Sequence, residues 1–413
     1  IILWILTELA IMATDIAEVI GASIALYLLF NIPLVVAVFI TVFDVLLLLL
    51  LTKIGFRKIE AIVVALIVVI FVIFAYQVAL SNPVWGDVIK GLVPSAEAFS
   101  TSHAVNGQTP LTGALGIIGA TVMPHNLYLH SSVVQSRKID RKDKTDIQRA
   151  LRFSTWDSNI QLTMAFFVNS LLLIMGVAVF KSGSVKDPSF FGLFDALSNP
   201  AVMSNSILAH IAGSGILSIL FAVALLASGQ NSTITGTLTG QIIMEGFIHM
   251  RVPIWLRRMV TRLLSVIPVL ICVLMTSGKS TVEEHIAINN LMNNSQVFLA
   301  FALPFSMLPL LMFTDSRVEM GEHFKNSWLI KLLGWVSVIG LIYLNMKGLP
   351  DQIEGFFGDN PTASQITLAD NIAYVIIALV ILLLVWTVVE LYKGDKRYAQ
   401  QLAAMEQQVE EVK

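Results

Sequence analysis

The stretch that decides the fold reads Gly-Ala-Thr-Val-Met-Pro-His-Asn at residues 119–126. Apolar residues flank it at 111–118 and 127–134, so it lies inside a segment of membrane-spanning length. A helix can break at membrane depth only where the freed backbone groups are buried in protein or line a cavity. In many secondary transporters, broken helices of this kind hold the substrate near the bilayer midplane. The sequence therefore predicts a broken helix and, at the break, a transport site.

The composition is that of an integral membrane protein. Of the 413 residues, 56% are hydrophobic and 13% are charged, whereas soluble domains carry about 25% charged residues. The net charge of −2 gives no indication of nucleic-acid binding, and the single cysteine, Cys272, excludes a disulfide framework. Segments of roughly 20 residues or more can span the bilayer. They are predicted at 3–30, 33–52, 59–80, 113–134, 150–180, 207–248, 254–275, 288–313, 328–346 and 369–393. The segment 207–248 is too long for one span and should include an amphipathic extension.

The distribution of basic residues predicts the orientation, because cytoplasmic loops carry an excess of Lys and Arg. One set of alternate loops is basic, with Lys53, Arg57, Lys58, Arg137, Lys138, Arg141, Lys142, Lys144, Arg149, Arg251, Arg257, Arg258, Arg317 and Lys325. The loops between them carry few basic residues. The C-terminus should therefore be cytoplasmic. One transmembrane domain is expected over 1–393, followed by a cytoplasmic tail at 394–413. The first helix begins at Ile1 with no polar lead-in, which suggests that further sequence precedes it.

Acidic residues in the first helix are functional candidates, since a charge at the bilayer centre costs about 2.5–3.5 kcal/mol on insertion scales. Asp15 and Glu18 are three residues apart and so share one helix face. Two interpretations remain open at this point. The pair could form a proton relay or cation path, or it could be structural, paired with arginines such as Arg258 or Arg262.

Side chains at the break carry further chemistry. An imidazole such as that of His125 can exchange protons at physiological pH, although it could instead ligate a metal or serve as a structural hydrogen bonder. The thioether of Met123 is a soft ligand that suits transition metals and gives little to calcium or magnesium, while the usual role of methionine is core filling. Ala120 is expected in the unwound turn, where its backbone carbonyl could also point into the cavity as a ligand.

Two polar patches lie in predicted helices. Residues 228–237 are rich in Gly, Ser and Thr, which favours close helix packing, with a hydrated path as the alternative. Residues 289–296 are rich in Asn and are predicted either to face an outer vestibule or to cap the start of a helix. The sequence contains no H-E-x-x-H motif, nucleophile elbow or P-loop, so we expect neither an enzyme nor an ATP-driven pump.

Four segments together resemble the Nramp family (natural resistance-associated macrophage proteins). They are the Met-Pro-His run at 120–126, the acidic run at 14–21, the Ser-Gly-Gln-Asn run at 227–236 and the Leu-Pro-Phe run at 303–310. The resemblance covers nearly the whole chain. It implies an all-α membrane protein with the LeuT-like inverted-repeat transporter fold. The ten helices present would then correspond to the family's third to twelfth helices.

The resemblance also implies a proton-coupled importer (symporter) of divalent transition metal ions, chiefly Mn²⁺ and Fe²⁺. The metal would be the substrate, with no cofactor and no obligatory protein partner, and a bacterial cell membrane is the expected location. The family's first helix carries Asp-Pro-Gly-Asn ligands that this sequence lacks. Half of the metal site would remain, with Met123 as thioether ligand and Ala120 as carbonyl ligand. Ala302 stands where many members have a glutamine that can join the metal shell.

The family's proton path maps onto Glu18, His125 and Asp15. Arginines of its ninth helix lead to the cytosol, and Arg258 and Arg262 are the candidates here. An Nramp-related magnesium transporter, which should lack the thioether, and another LeuT-fold symporter are the alternatives.

Overall fold

The computed structural model describes residues 2–43, 56–81, 83–102, 108–135, 139–140, 143–180, 187, 189–200, 213–248, 253–276, 279–357 and 361–411. The regular elements in these ranges are helical. The α-helices are α1 (Ile2–Phe30), α2 (Leu34–Thr41), α3 (Phe56–Ser81), α4 (Trp85–Lys90), α5 (Pro110–Thr121), α6 (Pro124–Val134), α7 (Lys144–Phe180), α8 (Phe190–Ser198), α9 (Ile216–Ile248), α10 (Ile254–Thr276), α11 (Thr281–Asp315), α12 (Arg317–Phe324), α13 (Trp328–Gly355) and α14 (Ala363–Glu411). A short 3₁₀ turn covers Ala96–Phe99.

Within the described ranges, seven helices are long and apolar enough to cross a membrane: α1, α7, α9, α10, α11, α13 and α14. This confirms the predicted all-α membrane class. The other three predicted spans are not among these seven helices, each for its own reason. Span 33–52 runs into residues 44–52, which lie outside the described residues; span 59–80 falls within α3; and span 113–134 is divided between α5 and α6.

The chain forms two compact units. The first comprises Leu3–Ser95 and Tyr128–Ser295. In one of its cores, α3 packs against α7 and α9, and Phe74, Met175 and Phe221 are buried together. In the other, side chains of α1 pack against α10. Most of α1 is buried, whereas α7 is almost wholly exposed. The helix with the acidic residues is therefore shielded, whereas α7 is exposed along most of its length.

The second unit comprises Ala96–Leu127 and Gln296–Lys413. In it α13 packs against α14 and α5, and the 3₁₀ turn packs against α5. Its core contains Leu111 and Leu115 of α5 together with Val297 and Ala300 of α11. This core fixes α5, the helix that leads into the break, against the middle of α11.

A buried amide compensates for a proline inside α11. Pro304 has no N–H, so the carbonyl of Ala300 lacks its helical i+4 donor. Asn345 of α13 is buried and donates from Nδ2 to that carbonyl over 2.8 Å. The contact satisfies an oxygen that burial would otherwise leave without a donor, and it joins α13 to α11.

Replacing Asn345 with leucine is expected to lower the free energy of unfolding by about 1–3 kcal/mol, because the Ala300 carbonyl becomes a buried, unsatisfied acceptor. Thermal unfolding of the purified protein in detergent measures the loss. Ser337→Ala is the control on the same helix, since Ser337 is exposed and, within the described part of the chain, donates only to its own helix backbone. A change in Asn345→Leu no larger than in the control would contradict this role for the amide.

Several helix boundaries differ from the predicted spans. Helix α11 begins at Thr281, where Ser280 and Glu283 form a reciprocal capping box. Residues 289–296 therefore lie inside the helix, and their prediction as a helix cap is wrong. Of the segment 207–248, residues 207–212 lie outside the described residues, and α9 starts at Ile216. Helix α14 continues without a break past residue 393 to Glu411.

Candidate metal and proton site

The predicted helix break is present between α5 and α6. Helix α5 ends at Thr121, and the N–H of Val122 still donates to the carbonyl of Ile118 over 3.0 Å. Val122 then leaves helical geometry, with φ −103° and ψ 26°. Helix α6 starts anew at Pro124, a residue favoured at the first helical position because it has no N–H to lose.

The two predicted metal ligands lie on either side of this turn. Met123 is half-buried in the non-helical stretch itself. Ala120 lies in the last turn of α5 and is still helical, whereas the sequence predicted an unwound conformation for it. Its carbonyl nevertheless has no i+4 donor, because that donor would be the missing N–H of Pro124. The break therefore offers a carbonyl oxygen and a thioether within four residues.

Two other residues define the surroundings of the break. His125 is the second residue of α6 and is only 2% exposed. Gly119 brings the backbone of α5 directly onto the backbone of α11. A Cβ on Gly119 would lie 1.8 Å from the carbonyl oxygen of Gln296 and 2.9 Å from the nitrogen of Ala300. Any side chain at position 119 would displace the helix end that carries Ala120.

In the first unit, the predicted acids and arginines form one buried cluster. Arg258 donates through Nη1 to Asp15 Oδ1 and through Nη2 to Glu18 Oε2, the latter over 2.8 Å. Arg262 donates through Nη1 to Glu18 Oε2 over 3.3 Å and to the backbone carbonyl of Asp15 over 3.4 Å. All four side chains are at least 95% buried. The structure thus shows the arginine pairing that the sequence left as one of two interpretations.

The polar patch 228–237 on α9 supplies hydroxyl groups to the same cluster. Ser232 donates to Glu18 Oε1 over 2.6 Å, and Thr233 donates to Glu18 Oε2 over 3.0 Å. Gly236 leaves space for the carboxylate, since a Cβ there would lie 3.5 Å from Oε1. The sequence favoured packing for this patch. It packs on α1 and also binds Glu18, a role that sequence reasoning missed.

A fourth ion pair joins the same two helices and was also missed. Arg257 Nη2 donates to both carboxylate oxygens of Glu8, over 2.9 and 2.7 Å. Gly240 makes room for it, since a Cβ at that position would lie 1.6 Å from Arg257 Nη1. The signal was present in the sequence, because Glu8 precedes Asp15 by seven residues and shares its helix face. Arg257 and Arg258 were assigned to a basic loop, but both lie buried in α10.

The cluster balances its charges. Three carboxylates of α1 face three guanidinium groups of α10, and such groups are stable in an interior only when paired and hydrogen-bonded. Asp15 Oδ2 is buried with no hydrogen-bond partner among the described residues. Asp15 and Glu18 share Arg258 as a hydrogen-bond donor, so a change in the charge of one of these two carboxylates would alter the hydrogen bonding of the other. Among the described residues, no three His, Cys, Asp or Glu side chains are arranged to hold a metal ion.

Comparison with known proteins gives consistent matches. The sequence model of the family described as "Natural resistance-associated macrophage protein-like" matches residues 1–350. The "Divalent metal cation transporter MntH" of Pediococcus pentosaceus is 55% identical over 345 residues, which are 84% of this chain and 73% of that protein. Its namesake in Levilactobacillus brevis is 52% identical over 349 residues, 84% of this chain and 71% of that protein.

A solved structure extends the match to the fold. The Eremococcus coleocola manganese transporter, in complex with an aromatic bis-isothiourea compound, is 64% identical with a TM-score of 0.87, covering 95% of this chain and 79% of that chain. This confirms the expected LeuT-like fold. Solved variants of that transporter replace one glutamate or one histidine with alanine. The chain therefore belongs to the Nramp family, whose members are membrane transporters and not enzymes.

Proposed function

We propose that this protein is a proton-coupled importer of divalent transition metal ions such as Mn²⁺ and Fe²⁺, working by alternating access. The observation that carries the proposal is the break between α5 and α6, with the carbonyl of Ala120 and the thioether of Met123 beside it. The names of the two MntH relatives and of the manganese transporter support the choice of cargo.

The thioether accounts for selection among cations. Calcium and magnesium are abundant hard ions that prefer oxygen ligands, whereas a thioether favours softer transition metals. Met123 would hold a partly dehydrated ion together with the Ala120 carbonyl. An oxygen-only set at this place would lose the discrimination against calcium.

Proton coupling is supported by the buried acid–arginine cluster. Metal ligands must be deprotonated to bind, so metal binding and proton release are linked. Glu18 accepts hydrogen bonds from four side chains, and a proton on its carboxyl group would displace at least one of them. Glu18, His125 and Asp15 would carry the proton, with Arg258 and Arg262 stabilising the charged forms. An inward proton gradient would then drive metal uptake.

The proposal includes an orientation in the membrane. The basic segments, chiefly residues 137–149, which run into the start of α7, and the tail 394–413 lie in the cytoplasm, and residues 1–393 form one transmembrane domain. Bacterial relatives make a bacterial cell membrane the proposed location. Proteolysis of right-side-out and inside-out vesicles tests this orientation.

Replacing Met123 with alanine is expected to make Mn²⁺ uptake sensitive to calcium. With the soft ligand gone, the ratio of manganese to calcium affinity should fall by about tenfold, equivalent to roughly 1.4 kcal/mol of binding free energy. The measurement is Mn²⁺ uptake into proteoliposomes with and without excess calcium, while the internal pH is recorded.

Met275→Ala is the matched control, since Met275 is 74% exposed on α10. The proposal requires wild-type uptake that resists calcium and acidifies the lumen. Absence of manganese uptake, or equal uptake of magnesium, would overturn the metal assignment and favour the magnesium transporter. Manganese uptake without lumen acidification would overturn only the proton coupling.

A further inference from the structure

A histidine outside the proposed transport site pairs with a loop aspartate. His285 lies near the start of α11, and its Nδ1 is 2.8 Å from Oδ2 of Asp187. Its ring stacks on Phe191 of α8, with 3.6 Å between ring centroids and 7° between ring planes. Both side chains of the pair are mostly buried. The ring is therefore held by a hydrogen bond and by a stack at once.

The aspartate is fixed in place by a close backbone approach. The carbonyl oxygen of Asp187 lies where a side chain on Gly192 would be, only 1.9 Å from a Cβ placed there. Between these residues, Ser189 caps α8 by accepting from the N–H of Gly192 over 3.4 Å. The pair His285–Asp187 consequently ties the first turn of α8 to the first turns of α11.

The stack continues from α8 into α1. Phe191 contacts Tyr27 in an edge-to-face arrangement with 5.5 Å between ring centroids. Phe191 is also part of the core formed by α1, α10 and Ile288 of α11. His285 is therefore connected, through Phe191, to side chains of the packed helices.

Negative charge surrounds the ring. Besides Asp187, the carboxyl of Asp195 on α8 is within electrostatic reach of His285, and Glu284 is its neighbour on α11. Tyr27 of α1 and Cys272 of α10 are the titratable groups of the other helices in this core. Burial raises the pKa of the Asp195 carboxyl; the charge of His285 opposes this rise and that of Asp187 adds to it. Asp187 Oδ1 is buried with no hydrogen-bond partner among the described residues.

We propose that Asp187, His285 and Phe191 form a proton-operated latch that fastens α8 to the start of α11 at low pH. A neutral imidazole supplies one hydrogen bond to Asp187. A protonated ring adds an ion pair with Asp187 and reduces the repulsion between the nearby carboxylates. The latch is therefore stronger with a protonated ring than with a neutral one.

The functional role of the latch rests on the proposed function and orientation, which place residues 181–206 and 276–287 outside the cell. The external acid that drives metal import would then also close this latch. External protons would then act at two places in the transporter, the latch on its outer surface and the transport path.

Hydrogen exchange measured by mass spectrometry tests the latch without any transport. Peptides covering α8 and residues 281–288 are compared at about pH 5.5 and about pH 8, after correction for the intrinsic exchange rate. In the wild type, we expect exchange to be about threefold to tenfold slower at the lower pH. This factor corresponds to the free energy contributed by a partly exposed ion pair. His285→Phe keeps the ring stack but cannot be charged, and it should show no such difference. Asp187→Asn should behave in the same way.

Glu284→Gln is the control, because it removes a charge next to His285 without touching the pair. It should retain the wild-type pH response. A pH response that survives in both His285→Phe and Asp187→Asn would overturn the latch. A response lost equally in Glu284→Gln would assign the effect to general charge and would also overturn it.

Uptake measurements separate this inference from the proposed function. If the wild type imports Mn²⁺ but its exchange does not depend on pH, the latch fails and the function stands. If exchange depends on pH as expected but no metal is imported, the latch stands and the proposed function fails. If both hold, the dependence of the uptake rate on external pH should be about threefold weaker in His285→Phe than in the wild type.

Discussion

Replacing Arg258 with methionine is expected to destabilise the folded protein by about 3–5 kcal/mol, because it leaves buried carboxylates without their counter-charge. Arg258 is the only described residue that donates to the Asp15 carboxylate, and it also binds Glu18. Both acids are almost fully buried and cannot recruit solvent in its place. Methionine has a comparable apolar stem, so the change removes mainly the charge and its hydrogen bonds.

The measurement is thermal unfolding of the purified protein, followed by size-exclusion chromatography of the fraction that stays monodisperse. Arg397→Met, on the exposed surface of α14, is the control and should change stability by no more than about 0.5 kcal/mol. The double variant Asp15→Asn with Arg258→Met restores charge balance, since Glu18 retains Arg262. It should recover a large part of the loss. Equal instability of the single and double variants would show that the ion pair is not the cause.

Replacing Gly119 with alanine is expected to reduce metal uptake more than tenfold. It should also lower the free energy of unfolding by about 3 kcal/mol, the upper end of the range typical for an overpacked core. The added Cβ would overlap the carbonyl oxygen of Gln296 and approach the nitrogen of Ala300. Both are backbone atoms of α11, so no rotamer change relieves the overlap. Helix α5 must shift instead, and its last turn carries Ala120 and leads directly into Met123.

Gly113→Ala is a matched control, because it makes the same substitution in the same helix where nothing lies within 4 Å of the new Cβ. It should stabilise the protein slightly, by about 0.5–1 kcal/mol, since glycine weakens helix interiors. Uptake and thermal unfolding are measured for both variants. Wild-type uptake in Gly119→Ala would mean that the approach of α5 to α11 is not needed for the site.

The break was predictable because its cause is local. Proline removes an N–H at one known position, and the carbonyl four residues earlier loses its donor whatever the rest of the chain does. Even so, the sequence placed Ala120 in the unwound turn, whereas the hydrogen bond from Val122 to Ile118 keeps it helical. The start of α11 was also predictable, because Ser280 and Glu283 match the capping-box pattern. The predicted span began later because it followed the hydrophobic residues alone.

The partners of the buried acids were only partly predictable. Charge balance suggested Arg258 and Arg262 for Asp15 and Glu18. Nothing in the local sequence, however, indicated that Ser232 and Thr233 would reach Glu18, more than 200 residues away in the chain. The same holds for the space that Gly240 provides for Arg257. Such contacts are set by how helices pack, and spacing along one helix carries no information about them.

The separation of the acids from their arginines also has a consequence for synthesis. Asp15 and Arg258 pair across 243 residues, so α1 leaves the ribosome long before α10. At about 5–20 residues per second, the interval is roughly 12–50 s. During that time α1 must reside in the bilayer or its insertion machinery without its counter-charges, and an unpaired carboxyl group in an apolar medium takes up a proton rather than stay charged. The capacity of Asp15 and Glu18 to bind protons would therefore first serve biogenesis, by keeping α1 insertable until α10 arrives.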